Sequence, residues 1–554
     1  MTIDNEVSIP DAVDQDAIVN GLLSKCERLI SEVDSFQSLV KQTMRNPQLV
    51  EVRQMRSNLV SEIRALEKLQ GQIESSTPAL LHDPSEEGDD DDDDDESQLR
   101  LAHGLRSSNL PFYETVWTVA KTSCTGLVAF WKRFYWDDGE SALKQDGDER
   151  SQGKRQGKNK RKSVLVDIVA DGGEEWVKVS TVPESRLLFE IAEKGWEVDT
   201  DASSDGEQGE GSASQRVILR NYDSNDEGQD HESDDDDEIE LIKLAAGMRK
   251  AANATRVRYR HPRIRFVLPK IEEGKVAEID HMLEVIRRYD ITVVCGNNMP
   301  SAMRAPLEET ALPGPDNDSH QEQDLSDLLP TPYKSFTPTL NVDCTLLLAM
   351  VSDLSHFKHI PPLPNHHLAI KRQIDAEKQK PLLPLELWPA VRGHELVCTE
   401  EAAKRFREIV QTIGTETEKE RTEIMMGAFR FQNADPETLF QKYQELSDHS
   451  VPQDWKLPIR VVEAKTVISS ALTHGKLPPV AHLLAETISH INQSVFFYGW
   501  VTGITTISSN RTVVKQIETV VEGHRGSDDA LEGPHVWICD TARSLVGKEK
   551  DRKK

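Results

Sequence analysis

Leu340-Asn-Val-Asp-Cys-Thr-Leu-Leu-Leu-Ala-Met-Val-Ser-Asp353 decides how the last third of the chain folds. A short apolar strand ends at Asp343, Thr345 can cap the next element, and Leu346 to Leu354 continues as an apolar helix. A carboxylate therefore stands at the C-terminal end of a strand, where open α/β sheets place their ligands. The pattern returns downstream. Glu395-Leu-Val-Cys398 reads as a strand and Thr399 as an N-cap. Glu400 to Val410 follows as a helix with Ala402, Ala403, Phe406 and Ile409 inward and Glu400 and Glu401 in its first turn. A third junction runs from Gly503-Ile-Thr-Thr-Ile507 through Ser508-Ser509-Asn510 into a helix from Arg511 to Ile517. His535-Val-Trp-Ile-Cys539 is a closing strand with Asp540 at its end. Strands alternating with helices predict an α/β domain over residues 340–554.

Upstream, residues 301–339 are rich in Pro, Asp, Ser and Gln without periodicity and read as a disordered linker. Residues 163–300 read as a second α/β domain. Ser163 to Ala170 and Glu175 to Ser180 flank Asp171-Gly172-Gly173 as a hairpin, and Glu184 to Gly195 follows as a helix. Strand Arg263 to Leu268, helix Lys275 to Tyr289 and strand Ile291 to Cys295 then form a βαβ unit. Residues 1–136 read as a helical region: one apolar stripe runs through Ile18, Leu22, Cys26, Leu29, Val33, Phe36 and Val40, and another through Val52, Met55, Leu59, Ile63 and Leu66. The break at Asn46-Pro47-Gln48 makes them an antiparallel hairpin whose stripes serve as core. The aromatic segment Leu110 to Trp136 is expected to be a helix docked on it.

The chain has 554 residues and a formal charge of -29. Acidic tracts at 83–96 and within 200–245 hold most of that charge, so they are expected to be disordered and the remainder only mildly acidic. This excludes a net-basic nucleic-acid binder of the histone kind. A polar and basic linker spans 137–162. Six cysteines lie far apart, without zinc or redox spacing, and are expected to be reduced and buried. No apolar run approaches the ~20 residues of a membrane span. Residues 1–16 are acidic where a targeting peptide needs positive charge, so a cytoplasmic or nuclear, non-secreted protein is expected.

Polar and acidic groups at several strand ends of one sheet would converge on one pocket. Gathered carboxylates repel unless a divalent cation neutralises them, and Mg²⁺ or Mn²⁺ prefers oxygen ligands. Asp343, Thr345, Glu400 and Asp540 are the candidate ligands, with Asp343, Glu400, Glu401 and Asn510 as candidate catalytic residues. The competing reading is that Asp343, Thr345, Thr399 and Glu400 are what helix N-termini require. Arg256, Arg258 and Arg260, in an Arg-rich stretch reaching Arg265, are possible RNA contacts on a strand, or else charges protecting a sheet edge. His356, His359, His366 and His367 lie in a Pro-rich stretch and read as a solvated loop rather than a metal site.

Asp343-Cys-Thr345 after a strand, an acidic helix start near Glu400, the Ser508-Ser509-Asn510 junction and the closing strand resemble a PIN-type nuclease domain. Val166 to Gly173, Trp176 to Thr181, Arg186 to Phe189, Gly195-Trp196, Asn341 to Asp343, Leu354-Ser355, Thr412 to Gly414, Glu418 and Arg421 occur together along most of the chain outside the acidic tracts. On these pieces the chain as a whole resembles the eukaryotic family called domain of unknown function 1308. The PIN resemblance implies a parallel α/β/α sandwich and Mg²⁺- or Mn²⁺-dependent ribonuclease chemistry, with Asp343 as first metal ligand and Thr345 beside it. Two departures stand out: Lys404 falls near the usual second-helix acid, and Asn510 replaces the acid of the third junction. Two functions are compatible with this pattern. One is a metal-dependent ribonuclease or RNA-binding protein; the other is an inactive PIN-like scaffold for protein interactions, with acidic tracts serving basic partners.

Overall fold

A computed structural model of the chain describes residues 12–76, 107–137, 162–194, 238–301, 303, 325–361, 366–539, 541 and 543–547. The chain divides into two units: Met1–Leu39, Gln48–Arg256 and His261–Pro330 form one, and Val40–Pro47, Val257–Arg260 and Thr331–Lys554 the other. The helical region and the first α/β sheet, expected as separate domains, thus share one unit. The acidic tract 83–96, Gly195 and Asp540 lie outside the described residues.

In the first unit the two stripes become α1 (Ala12–Thr43) and α2 (Arg53–Ser76), separated by a 3-10 turn at Pro47–Leu49. They run antiparallel, with Arg56 donating to Asp34 (2.8 Å) and Gln70 to Asn20 (2.9 Å). Cys26, Leu29, Val33 and Phe36 are buried with Met55, Leu59 and Leu66, so the stripes are core. Glu62 is also buried, because its carboxylate accepts from the Ser108 hydroxyl (2.7 Å) and the Asn109 amide (3.0 Å) at the start of α3 (Leu110–Ser123).

Leu110 to Trp136, expected as one helix, is two elements. α3 stops at Ser123, Gly126 adopts a φ of 61°, and Ala129–Trp136 is strand β1. Its aromatic run suits a pleated, half-buried surface. β1 pairs antiparallel with β2 (Lys162–Ala170), and β2 with β3 (Glu175–Val179), as the hairpin signal predicts. α4 (Glu184–Glu193) and α5 (Glu240–Asn253) precede β4 (Arg263–Leu268), which is followed by α6 (Ala277–Arg288) and β5 (Ile291–Cys295). β3, β4 and β5 are parallel, giving the order β1-β2-β3-β4-β5. Trp176 and Phe266 share a core with Met248 of α5 and Leu283 of α6.

Three expectations change here. The acidic insertion does not reach 245: buried Ile239 leads into α5, whose Leu241, Ile242 and Ala245 pack on the sheet. The linker 301–339 does not extend to its far end, where Leu325–Leu328 and Pro332–Ser335 are 3-10 turns and Thr339 opens a strand. Arg256 to Arg260 is not a strand: Val257 and Arg260 bridge across a tight turn whose middle residues, Arg258 and Tyr259, have φ of 49° and 71°.

The second unit starts with β6 (Thr339–Val342), α7 (Cys344–Val351), α8 (Asp353–His356), α9 (Leu368–Gln379) and α10 (Trp388–Val391). β7 (Glu395–Thr399) leads into α11 (Glu400–Ile413), α12 (Glu416–Met425), α13 (Pro436–Glu445) and β8 (Arg460–Val462). After α14 (Lys465–Thr473), α15 (Val480–Thr487) and α16 (His490–Thr502) come β9 (Thr505–Ser508), α17 (Arg511–Gly523) and β10 (Val536–Ile538). The sheet order is β10-β9-β6-β7-β8, every pair parallel. The first strand is central, so the chain builds outward on one side, returns, and builds outward on the other. The switch falls between β6 and β9, where open α/β sheets form a crevice beyond the strand ends.

Leu340 and Val342 enter a core with Leu346, Leu347, Met350 and Phe406. Asn341 points the other way and donates to the Val495 carbonyl of α16 (2.8 Å) and to the Thr506 hydroxyl (3.1 Å). Helix α16 crosses β9 at Gly499, where an added Cβ would stand 2.1 Å from Thr506 Oγ1. Gly499→Ala is expected to cost about 1–3 kcal/mol by pushing α16 off the sheet. Urea denaturation reads the loss; unchanged stability would mean that α16 slides freely.

Candidate functional site

Asp343 leaves β6 with its amide bonded to the Ile507 carbonyl (3.0 Å), which seats its side chain beside the end of β9. Its Oδ2 accepts from the Ser508 hydroxyl (2.6 Å) and the Thr345 hydroxyl (2.8 Å). Both hydroxyls are oriented from behind: Ser508 Oγ accepts from the Asn510 amide (3.0 Å) and Thr345 Oγ1 from the Ser509 amide (3.3 Å). Each hydroxyl has one proton, so each receives an N–H and points its own proton at the carboxylate. Asp343 is 3% exposed. Burial raises its pKa above the usual aspartate range, opposed by the Ser508 and Thr345 hydroxyls and then by the amides of Cys344 and Thr345.

The other candidate residues are placed differently. Asn510 turns its side chain to cap α17, accepting from the Val513 amide (3.4 Å). Glu400 is exposed in the first turn of α11, and Thr399 caps that helix through the Ala402 amide (3.3 Å). Glu401 is half-buried, and its Oε2 is buried with no hydrogen-bond partner among the described residues. The capping reading therefore holds for Thr399 but not for Thr345, whose hydroxyl donates to Asp343 instead, and Asn510, expected as a site residue, is a cap; Asp343, Thr345 and Ser508 come together at the switch. Ser508 is not among the ligands expected from the sequence. Among the described residues no three His, Cys, Asp or Glu side chains are grouped so that they could hold a metal ion. The donor set at the switch does not fit a Mg²⁺ or Mn²⁺ cage, since its hydroxyls donate into the carboxylate rather than offering lone pairs outward.

Of the arginines, Arg258 and Arg260 are exposed and Arg256 is half-buried. Arg260 pairs with Glu532 at 2.6 Å. His356 is not in a solvated loop. It is fully buried, with Nε2 on the Met350 carbonyl (2.6 Å) and Nδ1 on the Ser447 hydroxyl (2.9 Å). Burial, then the Arg421 guanidinium, holds its pKa well below the ordinary range, so the ring is neutral at pH 7. All six cysteines are buried and free.

A larger polar cluster lies below α7. Arg421 and Glu418 of α12 are both fully buried. Arg421 donates to Asp353 (2.7 Å), the Val351 carbonyl (3.0 Å) and the Leu446 carbonyl (3.0 and 2.6 Å). Asp353 also accepts from the Thr415 and Thr417 hydroxyls, each at 2.7 Å. Glu418 accepts from three amides, those of Asp353 (3.0 Å), Thr415 (2.9 Å) and Val546 (3.1 Å). Sequence reasoning does not reveal this cluster as a site. Its signals in the sequence are the capping-box spacing of Thr415 and Glu418, which the structure forms, and the place of Glu418 and Arg421 among the residues that carry the family resemblance.

Residues 340–449 match the family described as Protein of unknown function (DUF1308). The DUF1308 stretch runs from β6 to just beyond α13 and holds Asp343, Thr345, Asp353, His356, Glu418 and Arg421. Ser508 and Asn510 lie outside it, as do the resembling pieces between Val166 and Trp196. No curated protein and no solved structure matches the chain. No helix among the described residues is long and apolar enough to cross a membrane.

Proposed function

We propose that the second unit is a non-catalytic α/β scaffold, PIN-like in layout, that engages other proteins. One observation carries this reading: the Asp343 carboxylate is buried and its Oδ2 is taken by two hydroxyls that backbone amides hold in place. The parallel sheet with its first strand at the centre supports the likeness in layout. The net charge of -29 favours basic protein partners over RNA at long range. The ribonuclease alternative would need Asp343 to exchange its hydroxyl donors for a Mg²⁺ or Mn²⁺ ion.

Single-stranded RNA incubated with the full chain and Mn²⁺ is expected to stay as intact as with Asp343→Asn. Mn²⁺-dependent cleavage that the substitution abolishes would overturn the scaffold reading. Asp343→Asn is also expected to lower stability at pH 7 by about 1–3 kcal/mol, since the amide NH₂ must face either hydroxyl protons or backbone N–H groups. Because burial raises the Asp343 pKa, the folded state binds the extra proton first. Its contribution is therefore greatest at acid pH and falls as pH rises through the raised pKa. The gap between wild type and Asp343→Asn, measured by urea denaturation, is expected to widen as pH falls from 7 towards 4; a pH-independent gap would count against the buried charge.

A further inference from the structure

Beyond β10 the chain crosses the second unit as a strap, residues 543–547, without regular secondary structure. Side chains of the body hold it. Arg543 Nε donates to Glu377 of α9 at 2.6 Å, and both side chains are nearly buried. The Ser544 amide (3.1 Å) and hydroxyl (2.8 Å) both donate to Gln373 Oε1, while the Ser544 carbonyl accepts from the Ser352 hydroxyl (2.7 Å). Leu545 is 4% exposed in the same core as Leu346 and Met350. The Val546 amide ends the series on Glu418.

This is the chemistry of peptide recognition. Successive backbone groups are read by fixed polar side chains, a charged anchor meets a buried carboxylate, and an apolar anchor fills a pocket. A segment integrated into the fold by pairing would bond to backbone instead. The receptor groups come from α9, the start of α8 and α12, which are positioned by contacts independent of the strap. Asp353 and Arg421, for example, fix α8 against α12.

We propose that Ser352, Gln373, Glu377 and Glu418 form a docking groove for an extended Arg-Ser-Leu peptide of a partner protein, and that residues 543–546 are its resident intramolecular ligand. The inference rests on reading this unit as an interaction scaffold and names the class of partner. A partner must compete with a tethered copy of its own motif, so the strap sets a threshold for engagement. Glu377 selects arginine over an acidic residue at the first position, and the Leu545 pocket selects an aliphatic side chain two residues on.

The test uses the full chain carrying Arg543→Glu and Leu545→Asp, which empties the groove, and a fluorescein-labelled peptide with the sequence of residues 541–548. Fluorescence anisotropy is expected to show saturable binding to this variant at least about tenfold tighter than to wild type. A peptide with glutamate in place of its arginine should lose the binding, and adding Glu377→Arg to the protein should restore it. Equal, weak binding to wild type and variant overturns the proposal. Should the variant fail to fold, hydrogen exchange on wild type decides: Ser544 and Val546 amides exchanging by local opening, faster than those of β6, support a detachable strap, and exchange only at the rate of global unfolding overturns it. Absent peptide binding leaves the scaffold reading intact, whereas Mn²⁺-dependent RNA cleavage ends that reading whatever the peptide does.

Discussion

Arg421→Met is expected to lower the stability of the second unit by about 3–5 kcal/mol, the usual cost of removing one member of a buried ion pair. Methionine approaches the length of the arginine stem and fills much of its volume, so the loss is mainly polar rather than a cavity. The Asp353 carboxylate would keep the Thr415 and Thr417 hydroxyls but lose the guanidinium, and the Val351 and Leu446 carbonyls would lose their bonds to this side chain. The guanidinium also lies 4.9 Å from the centre of the Phe357 ring. Arg421→Lys should recover only a minor part, because one ammonium cannot reach Asp353 and two separate carbonyls as the planar fork does. Combining Arg421→Met with Asp353→Asn should cost less than the sum of the two single changes, since the second removes the stranded charge. Equilibrium urea unfolding of wild type, the two single variants and the double variant measures this, and additivity would show that the two side chains do not depend on one another.

Glu418→Ala is expected to be damaging by a different route, at about 1–3 kcal/mol for each buried donor it strands. Its carboxylate collects amides from three separate segments: Asp353 at the start of α8, Thr415 at the cap of α12, and Val546 of the strap. Alanine would leave all three N–H groups in a water-poor site. Glu418→Gln should be much milder. Oε1 serves both Asp353 and Val546, so a glutamine oxygen in that place keeps two amides, and only the Thr415 bond, made to Oε2, is replaced by a donor facing a donor. The ratio of the two losses, read from thermal and urea unfolding, is the informative quantity. Equal losses would mean that the charge of Glu418, rather than its geometry, holds the three segments.

Local pattern carried much of the architecture. The stripes through Cys26, Leu29, Val33 and Phe36 and through Met55, Leu59 and Leu66 specified α1 and α2, and the Asp171-Gly-Gly turn specified the β2–β3 hairpin. The strand ends at Asp343 and Thr399 were legible because each run stops at a polar residue that begins a helix, and the end at Ser508 because polar Ser508-Ser509-Asn510 leads into the next one. Aromatic density in Phe130 to Trp136 reads as helix but is strand, because those residues pair with β2 across a half-buried sheet face. At Asn510 a side chain able to serve as ligand or as cap serves as cap, a choice made by the amide of Val513 three residues on. Asp353 and Arg421 meet across 68 residues, and Asp353 and Glu418 across 65. No periodicity in either segment contains that meeting, so Glu418 and Arg421 stood out only through a family resemblance and their joining to Asp353 was not legible.

The central position of β6 has a consequence for synthesis. Its neighbour β9 follows at a distance of 165 residues, as between Asp343 and Ser508. At about 5–20 residues per second a ribosome needs roughly 8–33 s to deliver it. During that interval Leu340-Asn-Val342 has one bare flank, an adhesive ribbon of unpaired amides and carbonyls on a growing polypeptide. A nascent chain paused inside α16 would therefore be at its most aggregation-prone, and chaperone occupancy along the message should peak before Thr505 emerges and fall once it does.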